Sequence, residues 1–407
     1  MYDRLFYLTT ALISLFYFVD LHNNAPPPIL RRPSFAPPSL VLFAAHHRRV
    51  AVHCLVTIGL LLSASEEFST SILLRSLYAL CVAVCDFYHF SSYGGHTGFV
   101  FLYAACAMAL PLSSRSSVLR LIVAHQLGSS GVHKLRIGGW QWLHFSTMQA
   151  TLQFLYTSPK PFKPHPLVEP PWMKQLWLLR FCLDRPTLLA LLTVGGVCLE
   201  LYVCVVCVCG GYHAMLVVAV LCTGFHLSTA PLMGILFPFS IPVYWLTALS
   251  SNAAAIDLVP TTVLESVVVG TAVVVLSLSS VYSWEDWPLN GMVLFPWNKD
   301  QQEALYRYSG STSAVQFMLA HASSRGVTAS NINVVEMVSC LWPANFAPHF
   351  PLHKRAWLVS TKTMSVQVVA QEISQWLRTT RRFIDNRPGA QQGRCFDCVC
   401  AVAPPTT

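Results

Sequence analysis

Residues 187–209 read Thr187-Leu-Leu-Ala-Leu-Leu-Thr-Val-Gly-Gly-Val-Cys-Leu-Glu-Leu-Tyr-Val-Cys-Val-Val-Cys-Val-Cys209, with one charged side chain, Glu200. As a helix rising 1.5 Å per residue, the run is about 34 Å long, enough to cross the roughly 30 Å hydrocarbon core of a bilayer. Backbone polar groups find no water there, so a spanning segment must bond within itself as a helix. Similar runs recur at 4–20, 50–65, 71–90, 97–113, 213–230, 231–249 and 261–282. Two further stretches, 117–135 and 143–156, are less apolar but helix-compatible, and are expected to be buried or interfacial helices screened from lipid by the others. The fold class that follows is an all-α polytopic membrane protein, a bundle of about eight to ten helices.

Composition agrees. The 407 residues are 54% hydrophobic and 11% charged, with a mean hydropathy of +0.51; soluble domains carry roughly 25% charged residues. Residues 1–282 hold 15 Lys+Arg and 10 Asp+Glu, and 283–407 hold 11 and 8 in less than half the length. The chain therefore divides into a helical transmembrane domain at 1–282 and a mostly aqueous remainder. Within 283–385, β-prone runs at Gly291–Phe295, Asn333–Cys340 and Ala356–Thr361 alternate with helix-like stretches at 300–307 and about 364–382. This is the pattern of a small α+β appendage. Residues 386–407, with Gly, Gln and Pro, read as a disordered Cys-containing tail. The apolar stretch Leu5–Val19 lacks a following small-residue cleavage site and reads as a retained first helix. The segment 157–186, with seven prolines and with Trp172 and Trp177, reads as an aqueous or interfacial connector.

The net charge of +8 is spread over short basic pairs such as Arg31-Arg32. That pattern suits membrane-flanking loops and argues against a nucleic-acid partner. Membrane lipid is the expected partner, with room for a hydrophobic small molecule or a protein. Most of the fourteen cysteines sit in apolar runs, where free Cys behaves as a small hydrophobe. Cys395, Cys398 and Cys400 lack a fourth ligand, so no metal site is assigned.

Chemistry concentrates at Leu127-Gly-Ser-Ser-Gly-Val-His-Lys-Leu135. On a helix, Ser130 and Gly131 lie four and three residues before Lys134 and share its face, and small residues there admit a neighbouring helix or a ligand. An ammonium is disfavoured in a low-dielectric site, which makes a neutral amine available as a general base. The competing reading is a lysine that snorkels to the headgroups. His96, Glu200, His226 and Glu265 are further ionisable groups in apolar surroundings, which default to a pairing or functional role. Glu200 is a candidate counter-ion for Lys134. Together these groups predict a polar cavity inside the bundle. The chain carries no Ser/His/Asp nucleophile motif, Walker loop or dinucleotide fingerprint, which argues against a phosphate-cofactor enzyme.

Gly131-Val-His-Lys-Leu135 followed by Trp140 resembles the Gly-x-x-Lys-Leu…Trp signature of the HTTM membrane-domain superfamily, which includes the vitamin K-dependent gamma-glutamyl carboxylase. Gly95-His96, Glu200, Phe225-His226-Leu227 with Met233-Gly234-Ile235, and Trp287–Met292 with Trp297 resemble further family segments in the same order, over about residues 50–297. The resemblance implies a helical membrane domain in which Lys134 is the catalytic base on a reduced quinone such as vitamin K. Glu200, His96 and His226 would complete the cavity, and Gly131, Ser130 and Trp140 would lie against the ligand. It also implies a membrane of the endoplasmic reticulum or secretory pathway. A second family histidine is replaced in the stretch Leu112–Arg115, so the expectation is lysine chemistry on a quinol, sterol or lipid rather than full carboxylation. Two other readings stand beside it. One is a non-enzymatic lipid or ion translocator, or a structural subunit of a membrane complex. The other, ranked third because its Asn/Asp partner motif is missing, is a membrane-bound acyltransferase.

Overall fold

A computed structural model describes residues 1–18, 36–93, 98–157, 176–233, 236–251 and 262–281, together with short strands elsewhere. The helices among them are α1 (Tyr2–Tyr17), α2 (Pro38–Ala64), α3 (Glu66–Thr70), α4 (Ile72–Tyr93), α5 (Phe99–Met108) and α6 (Leu112–Gly138). They continue with α7 (Phe145–Thr157), α8 (Leu176–Leu183), α9 (Pro186–Cys209), α10 (Tyr212–Met233), α11 (Ser240–Ser250) and α12 (Val263–Val281). Four are long and apolar enough to cross a membrane: α4 over Ile72–His89, α9, α10 and α12. The all-α membrane reading therefore holds for the described part of 1–282 apart from a short strand at Ile29–Arg32, with fewer full-length apolar spans than the runs of hydrophobic sequence suggest.

The differences have local causes. The run at 97–113 yields only the ten residues of α5, because the chain turns at Ala109-Leu110 and α6 restarts after Pro111. The run at 231–249 divides between the end of α10, which continues through Pro231 to Met233, and the eleven-residue α11, which begins just after Pro238. The connector at 157–186 ends in α8, whose Leu179 and Cys182 pack with Leu152 of α7 and Leu189 of α9. Trp177, at the start of α8, is exposed.

α6 is the axis of the bundle. It runs for 27 residues and is buried along most of its length, although it carries more polar groups than any helix around it. It ends where Gly139 adopts φ +62°, a left-handed conformation that favours glycine, and the chain turns into a short 3₁₀ helix, Trp140–Leu143. Glycines also set the helix spacing. A Cβ on Gly128 would lie 2.8 Å from the Cβ and Sγ of Cys204, and one on Gly131 would lie 3.1 Å from the Cβ of Glu200. α6 and α9 therefore approach to backbone distance, which is how helices gain packing energy in lipid, where hydrophobicity alone does not drive them together. An aromatic core fills the other side: Phe101 stacks on Phe239 at 4.1 Å, with Tyr17 edge-on to Phe239 and Tyr7 edge-on to Tyr78.

The described strands are β1 (Ile29–Arg32), β2 (Glu285–Asp286), β3 (Leu289–Asn290), β4 (Ile332–Ser339), β5 (Lys354–Met364) and β6 (Cys398–Val402). β2 pairs with β3, and the others form an antiparallel sheet in the order β1-β5-β4-β6. β4 and β5 coincide with two of the β-prone runs, and β6 falls in the tail read as disordered. Gly291–Phe295 and the helix-like stretches at 300–307 and about 364–382 lie outside the described residues, apart from Met364 at the end of β5.

Candidate functional site

Lys134 stands one turn before the end of α6, and its side chain points inward, 7% exposed. Its ammonium pairs with Oε1 of Glu200 on α9 and donates to Oγ of Ser130 at 2.9 Å. Ser130 in turn donates to the same Glu200 oxygen at 3.2 Å, closing a triangle of three buried groups. The ring of Trp142 lies 5.3 Å from the ammonium, within cation–π range, and is itself buried. Oε2, the other Glu200 oxygen, is shielded from solvent and has no hydrogen-bond partner among the described residues.

Depth follows from α9. Glu200 lies fourteen residues after Pro186 and nine before Cys209, which at 1.5 Å per residue is about 21 Å and about 14 Å from the two ends. Lys134 turns inward to this pair and is buried, so the snorkelling reading is not the one the side chain adopts. Leaving either charge there unmatched would cost several kcal/mol, which is why the pair and its serine are found together.

His226 of α10 belongs to a second chain. Its Nδ1 lies 3.1 Å from the Tyr244 hydroxyl, which donates to Oε1 of Gln126 at 3.0 Å; Gln126 donates from Nε2 to Oγ of Ser240 at 2.8 Å. Phe237 stacks on the His226 ring at 4.6 Å. The two sets of contacts meet along α6, where Gln126 lies one turn before Ser130 and two before Lys134.

The sequence-derived candidates thus separate. Lys134, Glu200, Ser130 and Gly131 come together, with Gly131 as the gap through which Glu200 approaches. His226 makes no hydrogen bond to the pair among the described contacts. Trp140 is 81% exposed, and Trp142 is the ring that meets the lysine. His96 lies outside the described residues. Glu265 caps α12: its Oε2 accepts from the Thr262 N–H while Thr262 Oγ1 accepts from the Glu265 N–H, a capping box with a structural purpose.

Gln126, Tyr244 and Trp142 were not anticipated. A signal existed for the first: Gln126, Ser130 and Lys134 recur every four residues and so form one stripe of α6. His125, Ser129 and His133 form the adjacent stripe, which faces α12. Ser280 lies 2.6 Å from Ser129 and 3.0 Å from Nδ1 of His125, and Arg136 donates to the Val281 carbonyl at 2.8 Å. No group of His, Cys, Asp or Glu among the described residues could hold a metal ion, and the ten cysteines described are free thiols.

No family model, characterised protein or solved structure matches this chain.

Proposed function

We propose that the chain is a multi-pass membrane protein of HTTM type in which Lys134 and Glu200 form an intramembrane proton-accepting pair for a hydrophobic, hydroxyl-bearing substrate, of which a reduced quinone is the leading example. Residues 283–385 are taken as its small aqueous appendage, and the endoplasmic reticulum or secretory pathway as its membrane. The observation that carries the reading is Oε2 of Glu200: a buried acceptor with no hydrogen-bond partner among the described residues, beside an ammonium that stabilises negative charge. A substrate hydroxyl donating there would have its proton taken by Glu200, with Lys134 holding the resulting anion. Alternatively, Lys134 first passes its proton to Glu200, and the neutral amine becomes the base. Both routes move one proton from substrate to pair. The resemblance at Gly131–Leu135 supports the second route.

A structural or translocating role is the second reading, favoured by how fully Lys134 is already engaged by Glu200, Ser130 and Trp142. The variants Lys134→Met and Lys134→Met/Glu200→Leu separate the two. Purified protein in air-equilibrated micelles is given a reduced naphthoquinone, and the loss of quinol is followed as its anion, formed at the pair, is oxidised by dissolved oxygen. The catalytic reading expects both variants to lose turnover while the double variant keeps wild-type abundance. Turnover that survives in the double variant removes the base assignment.

A further inference from the structure

Nineteen residues before Lys134 on α6, about 28 Å away along the helix, Arg115 meets Arg75 of α4 and Asp3 of α1. Both guanidinium groups donate to one carboxylate oxygen, Asp3 Oδ2, at 2.7 Å from Arg115 and 3.1 Å from Arg75. Among the described residues, the remaining contacts of the two arginines are to carbonyls: Arg75 to Ser69 and Met108, and Arg115 to Leu110. Two positive charges, 6% and 2% exposed, thus face one negative charge. Two polar atoms in this cluster are shielded from solvent and have no partner among the described residues: Nε of Arg115 and the hydroxyl of Tyr7. Tyr7 follows Asp3 by one turn of α1 and its ring meets that of Tyr78, three residues after Arg75 on α4, which places it on the same faces as the cluster.

Buried donors are rarely left unpaired, and a guanidinium with Nε free presents the fork that grips a phosphate. The level is also informative. Arg120 donates to the Gly210 carbonyl at 3.0 Å, where α9 has just ended. Arg115 lies five residues further out, about 7.5 Å along α6. That is headgroup depth, where basic pockets between helices take lipid phosphates.

The geometry points to a binding site for one phosphate-class anion, the headgroup phosphate of a membrane lipid, between Arg115, Arg75 and the Tyr7 hydroxyl. Asp3, with a 23% exposed side chain, is the internal anion that partly occupies the guanidinium groups and competes with the ligand.

The test uses the full chain in an uncharged maltoside detergent and follows thermal unfolding, since a ligand that binds the folded state raises its Tm with concentration. Dilauroyl phosphatidic acid should stabilise the protein, and dilauroylglycerol, with the same chains and no phosphate, should not. Arg115→Gln and Tyr7→Phe should each weaken the half-saturating concentration by about tenfold, and Asp3→Asn should tighten it. Tyr7→Phe removes one unpaired oxygen and leaves the packing intact, so it decides the matter if Arg115→Gln fails to fold. Lys134→Met should respond to phosphatidic acid as the wild type does, which keeps this site separate from the proton-accepting pair. Equal stabilisation by inorganic phosphate at the same concentration would confirm the anion site and reassign its source to the free ion. Equal shifts from phosphatidic acid and dilauroylglycerol, or a Tyr7→Phe response identical to wild type, would overturn the site.

Discussion

α6 and α12 lie side by side and present opposite chemistry. α12 has a mean hydropathy of 1.9 and only 11% of its spanning window is buried, so Val267, Val274 and Leu278 face outward. α6 carries arginines, histidines, serines, Gln126 and Lys134, and buries nearly all of them. In water the arrangement would be inverted. In lipid the apolar helix is the solvated one, and the polar helix survives because every neighbour supplies a partner. Hydropathy here reports what faces lipid, and polarity reports what is inside.

This contrast breaks most sharply at the ion pair. Removing one partner, as in Lys134→Met, strands a buried carboxylate and should destabilise the fold by about 3–5 kcal/mol, whereas Lys134→Met/Glu200→Leu should recover most of that loss. Unfolding of both variants in micelles measures the difference, and equal losses would mean that the pair is not mutually compensating. A smaller effect is expected at the α6–α9 contact. Gly128→Leu pushes a side chain into Cys204 and should cost about 1–3 kcal/mol, by the rule for overpacked positions. A wild-type Tm for that variant would show that the two helices do not approach as described. At the far end of the scale, Val274→Leu on the open face of α12 should change stability by less than about 0.5 kcal/mol. A large loss there would reveal that this face is covered by protein rather than lipid.

Hydrophobic runs were enough to place α1, α4, α9, α10 and α12, since each is a long stretch whose backbone has one way to satisfy itself in a bilayer. They overstated α5 and α11, which are bounded by Pro111 and Pro238, because hydropathy counts side chains and not missing N–H groups. α8 was unanticipated, since its eight residues are a short run at the end of a proline-rich connector; Leu179 and Cys182, one turn apart, pack it on α7 and α9. At the site, the motif around Lys134 and the isolated carboxylate of Glu200 were visible as ionisable groups in apolar company. Trp142 could not be told from Trp140 by position in the sequence; the turn at Gly139 decides which ring reaches the lysine.

By itself, then, the order of residues determined that this chain is a helical bundle with charges hidden in it, because apolar runs of bilayer length admit only helices. Which charge meets which was decided by tertiary structure. Lys134 and Glu200 are 66 positions apart, and Asp3 and Arg115 are 112 apart. Only the antiparallel packing of α6 on α9, with Gly128 and Gly131 in the seam, brings the first two within bonding distance. Likewise, only the gathering of α1, α4 and α6 at one end of the bundle leaves two arginines sharing one carboxylate.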